Sequence, residues 1–331
     1  MNKSNFFTLI VFSAILLCAS GCTFNFPLFS EEKPLEETKL EGKGKYKILI
    51  LDISGVIVSE EAVYVSGLVK KENTVSLVKE ILSMAKEDDR IKAVVLRIDS
   101  PGGTVTASDI IYREILKFKK DTHIPVYASM MDVAASGALY ISMACDGIYA
   151  NPTTVTGSIG VIFENIDLTG LLDKLGIKDR TVKSGDKKDM GSPLRSASEE
   201  ELKIMKDITL DLYGEFLNAI SAGRPKLARA EIERLADGRI YSSRQALNAG
   251  LIDGISYLDE VIEKAKKNAN LEKAKVVMYQ RPDSYRNNIY SLSQNTPMSY
   301  EGVSLFEWRK LSELLSPKFM YIWEPGVGIL P

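Results

Sequence analysis

Histidine is almost missing from this chain: His123 is the only one among 331 residues. One imidazole cannot build a His-rich metal site. Its setting in the stretch 121–125 (DTHIP), just before a strand-like run, reads as a loop, which gives His123 a structural or surface role and argues against a Ser-His-Asp triad. Cysteine is scarce as well, with three residues, too few for a disulfide framework. No excess of basic charge is present. The formal net charge is −2 and the sequence pI is near 5.8, so no basic stripe marks a nucleic-acid partner. The P-loop pattern G-x-x-x-x-G-K-[ST] does not occur, and G-x-S-x-G is absent because Ala134 stands two before Ser136. Three S-x-x-K matches (Ser76/Lys79, Ser83/Lys86, Ser184/Lys187) lack S-D-N and K-T-G partners and read as chance. No internal repeat is evident.

What is there begins with a targeting segment. Lys3 precedes an apolar run, 6–19, broken only by Thr8 and Ser13, about the length of a signal h-region and short for a membrane span. It ends in Ala19, Ser20, Gly21 and Cys22, which resembles the lipobox of bacterial lipoproteins, although Ala19 stands where leucine is usual. Lipidation at Cys22 would remove Cys18 with the signal and leave Cys145 as the sole thiol, so no intrachain disulfide could form. The alternative is an uncleaved or ordinarily cleaved signal. The division expected is a signal peptide over 1–21, a polar solvated tether over 22–45, the folded domain over 46–275 and a C-terminal extension over 276–331.

The chain is 45% apolar, enough to bury a large core. Continuous apolar runs at 47–53 (extended past a bend by 54–58), 91–98 and 125–131 read as buried strands. Between them Val75, Val78, Ile81, Leu82 and Ala85 recur at helical spacing, and 108–120 reads as a helix with Ile111, Ile115 and Phe118 on one face. A glycine-punctuated strand is expected over 154–162, a short helix over 168–175, and further helices ending at Gly250 and spanning 257–267. Ser198 and Glu201 form a capping box for a helix striped by Leu202, Met205, Ile208, Leu212, Phe216 and Ala219. Beyond about 279 the sequence is irregular, with Trp308, Tyr321 and Trp323. Strand–helix alternation with continuously apolar strands predicts an α/β protein whose mostly parallel sheet is covered on both faces.

The stretch 132–140 (DVAASGALY) is where chemistry is expected. Ser136 lies between small residues where the third strand gives way to an apolar run, 139–144, readable as helix. Small neighbours let a ligand approach the hydroxyl, and a helix starting there would aim free N–H groups at a developing negative charge. Ser136 is therefore a candidate nucleophile beside an oxyanion hole; the alternative is an N-cap serine in a tight corner. Ser100, Pro101, Gly102 and Gly103 follow the second strand and could present backbone N–H groups, or form a simple turn. Without a histidine the base has to be another group, and a lysine can serve if its surroundings lower its pKa from about 10.4. Composition alone does not choose among the lysines.

Four stretches in order, 97–103 (RIDSPGG), 134–137 (AASG), 156–161 (TGSIGV) and 184–189 (SGDKKD), resemble the signal peptide peptidase A family over about residues 46 to 280. That resemblance implies a membrane-attached bacterial serine protease with a Clp-protease/crotonase-like fold of repeated β-β-α units. It implies Ser136 as nucleophile, Lys188 as general base, and Ser158 as the hydroxyl that orients the lysine. It further implies Gly102 and Gly137 as oxyanion-hole donors, with Gly103 against the substrate. The chain departs from the family at Ala138 and Leu139, where glycine and an aromatic are usual, which touches the shape of the substrate pocket. Family members of this length assemble into rings.

The expectation is acyl transfer from peptide substrates, chiefly cleaved signal peptides and other membrane-associated peptides, with no metal or cofactor. The catalytic domain would lie on the outer, periplasmic side of the cytoplasmic membrane, held by lipid or an N-terminal anchor, in a homo-oligomeric ring. Two rivals are an acyl-CoA hydratase or hydrolase-like enzyme of the same fold, and a catalytically silent lipoprotein that binds peptides or scaffolds a complex.

Overall fold

Ile48 and Ile50 face one side of the central sheet and Leu49 and Leu51 the other, and all four are fully buried. The next strand repeats the pattern, with Ala93 and Val95 on one side and Val94 and Leu96 on the other. A strand packed on both faces has no position left for a polar residue, which is why these segments are continuously apolar.

The computed structural model describes residues 33–59, 62–63, 70–71, 73–282, 288–289 and 318–323. In chain order the elements are β1 (Glu36–Gly42), β2 (Lys47–Ser54), β3 (Ala62–Val63), β4 (Lys70–Lys71), α1 (Thr74–Glu87), β5 (Ile91–Ser100), β6 (Gly102–Thr104) and α2 (Val105–Thr122). There follow β7 (Val126–Ala135), α3 (Gly137–Ser142), β8 (Gly147–Ala150), β9 (Val155–Gly157), β10 (Ile162–Phe163), α4 (Thr169–Lys174) and α5 (Glu199–Gly223). The rest are α6 (Arg229–Leu235), β11 (Ile240–Ser242), α7 (Ser243–Asn248), β12 (Gly254–Ile255), α8 (Leu258–Asn268), β13 (Lys275–Gln280) and β14 (Phe319–Ile322).

The main sheet runs β1-β13-β2-β5-β7-β8-β12, with β9 also on β7 and β11 on β9. Its pairings are parallel except β1 with β13 and β9 with β11. Helices α1, α2, α3 and α5 contribute to the core on one face; α8 covers the other with Leu258, Val261, Ile262 and Ala265. A second, antiparallel sheet of three short strands runs β10-β14-β6. The α/β architecture with a mostly parallel, two-sided sheet is as expected.

Differences from the sequence reading have local causes. Residues 36–42, within the expected tether, form β1 at the sheet edge. Its polarity is that of an edge strand with solvent on one side: Glu36, Glu37 and Glu41 are exposed, while Leu35 just before it is buried. Glu37 pairs with the buried Lys47, which also meets Asp88 at 2.6 Å. At the other end, β13 and β14 carry the fold into the expected extension. Helix α2 starts at Val105 rather than at Ser108 because Thr104 caps it. In α5, Phe216 and Ala219 are buried as expected, but Leu202 and Ile208 of the same stripe are exposed. His123 caps α2 at its C-terminus in left-handed conformation, its N–H donating to Lys119. The signal segment 1–21 and Cys22 lie outside the described residues.

Candidate active site

The C-terminal ends of β5, β7 and β9 converge on one corner. Parallel sheets of this kind hold their ligands beyond the carboxyl ends of the strands. Ser100 pairs with Ala134, and Ala135 pairs with Gly157. Ser136 and Ser158, each one residue further on, therefore leave neighbouring strands side by side.

Ser136 adopts φ 52° and ψ −114°, a conformation that costs a non-glycine residue about 1–3 kcal/mol and is held only where the surroundings dictate it. The constraint is visible: its N–H donates to the Gly157 carbonyl at 2.7 Å, and its carbonyl accepts from Tyr140 at 2.9 Å. Although Ser136 occupies the N-cap position of α3, its side chain makes no cap bond. Its hydroxyl is buried and has no hydrogen-bond partner among the described residues. The capping alternative is thus not what this side chain does. Ser158 repeats the left-handed conformation (φ 51°), is 8% exposed, and donates its N–H to Arg239 at 2.8 Å.

Facing Ser136 is the turn from β5 into β6. The Ser100 hydroxyl donates to the Gly55 carbonyl at 2.6 Å and accepts from the Gly102 N–H at 3.1 Å. On its far side β6 is bonded to Ile57, which donates to Gly102 at 2.8 Å and accepts from Thr104 at 2.9 Å. Gly102 holds φ 104°, and a methyl group there would sit 2.0 Å from the Tyr321 carbonyl oxygen. A methyl on Gly137 would lie 3.1 Å from the same oxygen and 3.2 Å from the Gly103 nitrogen. Gly102, Gly103 and Gly137 therefore surround one carbonyl-sized position. Because Ser100 already engages the Gly102 N–H, the donor expected at 102 is turned into its own loop, whereas the Gly103 nitrogen lies beside Gly137.

Lys188 is placed differently. It sits exposed on the loop 184–192, and its amine has no hydrogen bond or ion pair with a described residue, Ser136 and Ser158 included. The loop itself is well held. Arg195 forks onto Asp189 at 2.6 and 2.8 Å and onto Glu201 at 2.6 and 3.0 Å, and Lys183 adds a contact to Asp189 at 2.8 Å. Arg195 keeps the Asp189 carboxyl well below the usual range, and with the Ser198 N–H it lowers Glu201 to about 2. The same Glu201 closes the capping box of α5. The structure thus brings together Ser136, Ser158, Gly102, Gly103 and Gly137, and leaves Lys188 apart from them within one chain.

Residues 118–272 match the family described as Peptidase family S49, and residues 45–154 match Clp protease. A protein of Enterococcus faecium provisionally named signal peptide peptidase SppA is 36% identical over 291 residues, 87% of this chain and 80% of its own length. The chain belongs to the S49 peptidase family. As an S49 member it is a serine protease with a Clp-protease-like fold, which sets aside the acyl-CoA and silent-scaffold readings. Two further relatives match a shorter stretch of the chain. A Synechocystis protein provisionally named a protease is 40% identical over 200 residues, 60% of this chain and 71% of its own length. The chloroplastic serine protease SPPA of Arabidopsis thaliana is 36% identical over 219 residues, 65% of this chain and 32% of that protein.

Sequence reasoning missed two groups. Arg195 gave no signal, since its partners Asp189 and Glu201 flank it at six residues on either side. The second is an aromatic cluster around α3: Tyr140 lies between Tyr112, Phe216 and Tyr321 at 5.2 Å each, and its hydroxyl donates to Asp109 at 2.9 Å. Ala138 and Leu139, the departures from the family pattern, are fully buried in the core.

Proposed function

We propose that this S49 protease is a membrane-anchored endopeptidase that hydrolyses cleaved signal peptides and other membrane-associated peptides through a Ser136–Lys188 dyad. The observation that carries the reading is the Ser136 hydroxyl, buried and unpartnered on a strained turn whose next residue, Gly137, lies beside Gly102 and the Gly103 nitrogen. A hydroxyl so placed forgoes a hydrogen bond that nearly every buried polar group makes, a cost expected where a group is reserved for chemistry.

The Lys188 amine, in its uncharged form, takes the Ser136 proton as Oγ attacks the peptide carbonyl carbon. The Oγ–C bond forms and the carbonyl electron pair moves to oxygen. That oxyanion is held by the N–H groups of Gly137 and Gly103, while Gly102 contributes its open shape. Collapse breaks the C–N bond, and the proton passes from Lys188 to the leaving amine. Water then adds to the ester, and the second collapse frees the acid and restores Ser136. Ser158 orients the lysine.

Closing the dyad needs Lys188 to reach Ser136. Of the fourteen exposed large apolar side chains among the described residues, ten lie between 162 and 210, the stretch that carries Lys188. A homo-oligomeric ring covers this face, and in it Lys188 of the partner subunit completes the site. Mixing Ser136→Ala and Lys188→Ala proteins tests this: each alone is inactive, and co-assembled subunits regain hydrolysis. Continued inactivity of a proven mixed assembly overturns the shared site.

Lipid on Cys22, or an N-terminal anchor, holds the domain at the outer face of the cytoplasmic membrane. No helix among the described residues is long and apolar enough to cross a membrane. Labelled palmitate incorporated by the wild type and lost in Cys22→Ser checks the anchor.

A further inference from the structure

Between Ile98 and Ser100 strand β5 advances two residues while its neighbour β7 advances four. Ile98 pairs with Met130 and Ser100 with Ala134, so Asp99 alone stands opposite Met131, Asp132 and Val133. This is a β-bulge with two extra residues on β7. An even insertion leaves the faces of a strand unchanged, which is why Met130 and Ala134 both point into the same core. What changes is height. Ser136 follows Ala134 by two residues and Gly102 follows Ser100 by two, so the bulge brings the serine level with the glycine turn. At the register of Ile98 and Met130, Ser136 would lie two residues further along, about 6.6 Å past that turn.

The bulge is also where β7 changes neighbours on its other side. Met130 makes its last pairing with β8, at Ala150, and Val133 its first with β9, at Val155. Among the described residues Met131 and Asp132 pair with no strand, and side chains take the place of the ladder. From β5 the Asp99 carboxylate accepts the Val133 N–H at 3.1 Å, while the Asp99 carbonyl accepts from Gly55 at 2.9 Å. From the turn between β8 and β9 comes Thr154, which is buried. Its hydroxyl lies 2.5 Å from the Met131 carbonyl oxygen and 3.0 Å from that of Met130. Thr156 adds a bond to the Ala134 carbonyl at 2.6 Å.

We propose that Asp99, with Thr154 on the opposite side, is a positioning residue: its side-chain oxygen holds the bulge of β7 and so sets the height of Ser136 against Gly102, Gly103 and Gly137. This rests on Ser136 being the nucleophile. Asp99 reaches the reaction only through the backbone of 133–136. Its part is that of an acceptor and not of a charge. Desolvation raises the carboxyl above its ordinary value, and Asp132 on β7 and Asp52 on β2 push the same way, against the Val133 N–H and Arg97. Arg97 is itself bonded to Asp52 at 2.7 Å. Surroundings that oppose the charge leave the oxygen as the useful feature, and one neutral amide oxygen satisfies the Val133 N–H equally well.

The test compares Asp99→Ala, which removes the acceptor, with Asp99→Asn, which keeps an oxygen in place without the charge. Asp99→Ala should lower kcat for peptide hydrolysis by about 10- to 100-fold, with KM changed by less than about twofold. Asp99→Asn should recover activity to within about threefold of wild type. Thr154→Val, nearly the same in shape, should show the same loss from the other side of the bulge, and Thr154→Ser should recover it. That pair decides the matter if Asp99→Ala folds poorly. Hydrogen exchange read by mass spectrometry in a Ser136→Ala background needs no catalysis. There the amides of 131–137 should exchange about tenfold faster or more with Asp99→Ala, and at the parent rate with Asp99→Asn. Asp99→Asn as inactive as Asp99→Ala, an unchanged kcat in Asp99→Ala or Thr154→Val, or unmoved exchange at 131–137 overturns the proposal. Failure of Ser136 as nucleophile would show separately, as hydrolysis by the wild type that persists in Ser136→Ala.

Discussion

The main-chain N–H of Ser136 donates to the carbonyl oxygen of Gly157 at 2.7 Å, which ties the turn of the proposed nucleophile to the strand that delivers Ser158. Two residues in left-handed conformation are thereby fixed against each other at the ends of adjacent parallel strands. Neither turn can shift without moving the other.

Gly157 is the point where this coupling can be broken. It holds φ 92°, and a methyl group on it would lie 2.5 Å from the Tyr241 ring and 2.9 Å from the Arg239 carbonyl. Gly157→Ala should displace both serines, lowering kcat by about a hundredfold and stability by about 1–3 kcal/mol. Peptide kinetics and thermal unfolding measure the two effects separately.

Arg195 positions the loop of Lys188 without touching the reacting atoms. Arg195→Gln should lower kcat by about tenfold with KM little changed, because the loop is released while the turn from β5 into β6 stays intact. Arg195→Lys, which keeps the charge but loses the fork, should fall between the two. A rise in KM at constant kcat would assign Arg195 to substrate binding instead.

The same cluster sets a pH dependence. Asp189 and Glu201 titrate lower in the folded protein than in the unfolded chain. Their stabilising contribution is complete above the ordinary glutamate value of 4.5 and is lost as pH falls toward about 2. Wild type should therefore exceed Arg195→Gln in Tm at about pH 6, with the gap shrinking below about pH 4 and closing as pH falls toward about 2. A gap that does not change with pH would mean that the fork is not what separates them.

Desolvation pushes the half-buried Cys145 thiol up to about 12, so it holds almost no thiolate at neutral pH. Iodoacetamide should leave Cys145 unmodified, and activity intact, in the folded protein, while modifying it readily in denaturant. Mass spectrometry of the peptide containing Cys145 decides.

The sheet was legible because both of its faces are covered: β2, β5 and β7 are continuous apolar runs, a pattern only a two-sided strand produces. The edge strand β1 was not, since Glu36, Glu37 and Glu41 face solvent and look like a linker when their partner β13 is unknown. The site was legible in its backbone. Gly102, Gly103 and Gly137 stand where an added side chain would collide with its surroundings, and Ser136 and Ser158 form positive-φ turns at the ends of adjacent strands. Tyr140, Asp109 and Tyr321 were not, because an aromatic cluster spread over two hundred residues leaves no local spacing to read. The exposure of Leu202 and Ile208 was equally hidden, for periodicity says which residues share a face and not whether that face has a neighbour.

The most direct measurement is site-resolved labelling with a fluorophosphonate serine probe, paired with peptide hydrolysis. The account predicts that wild type is modified at Ser136 and that Ser136→Ala loses labelling and at least about 10³-fold in kcat. Lys188→Ala should lose about 10²- to 10⁴-fold while keeping its fold. Modification at another serine, or hydrolysis undiminished in Ser136→Ala, would contradict it.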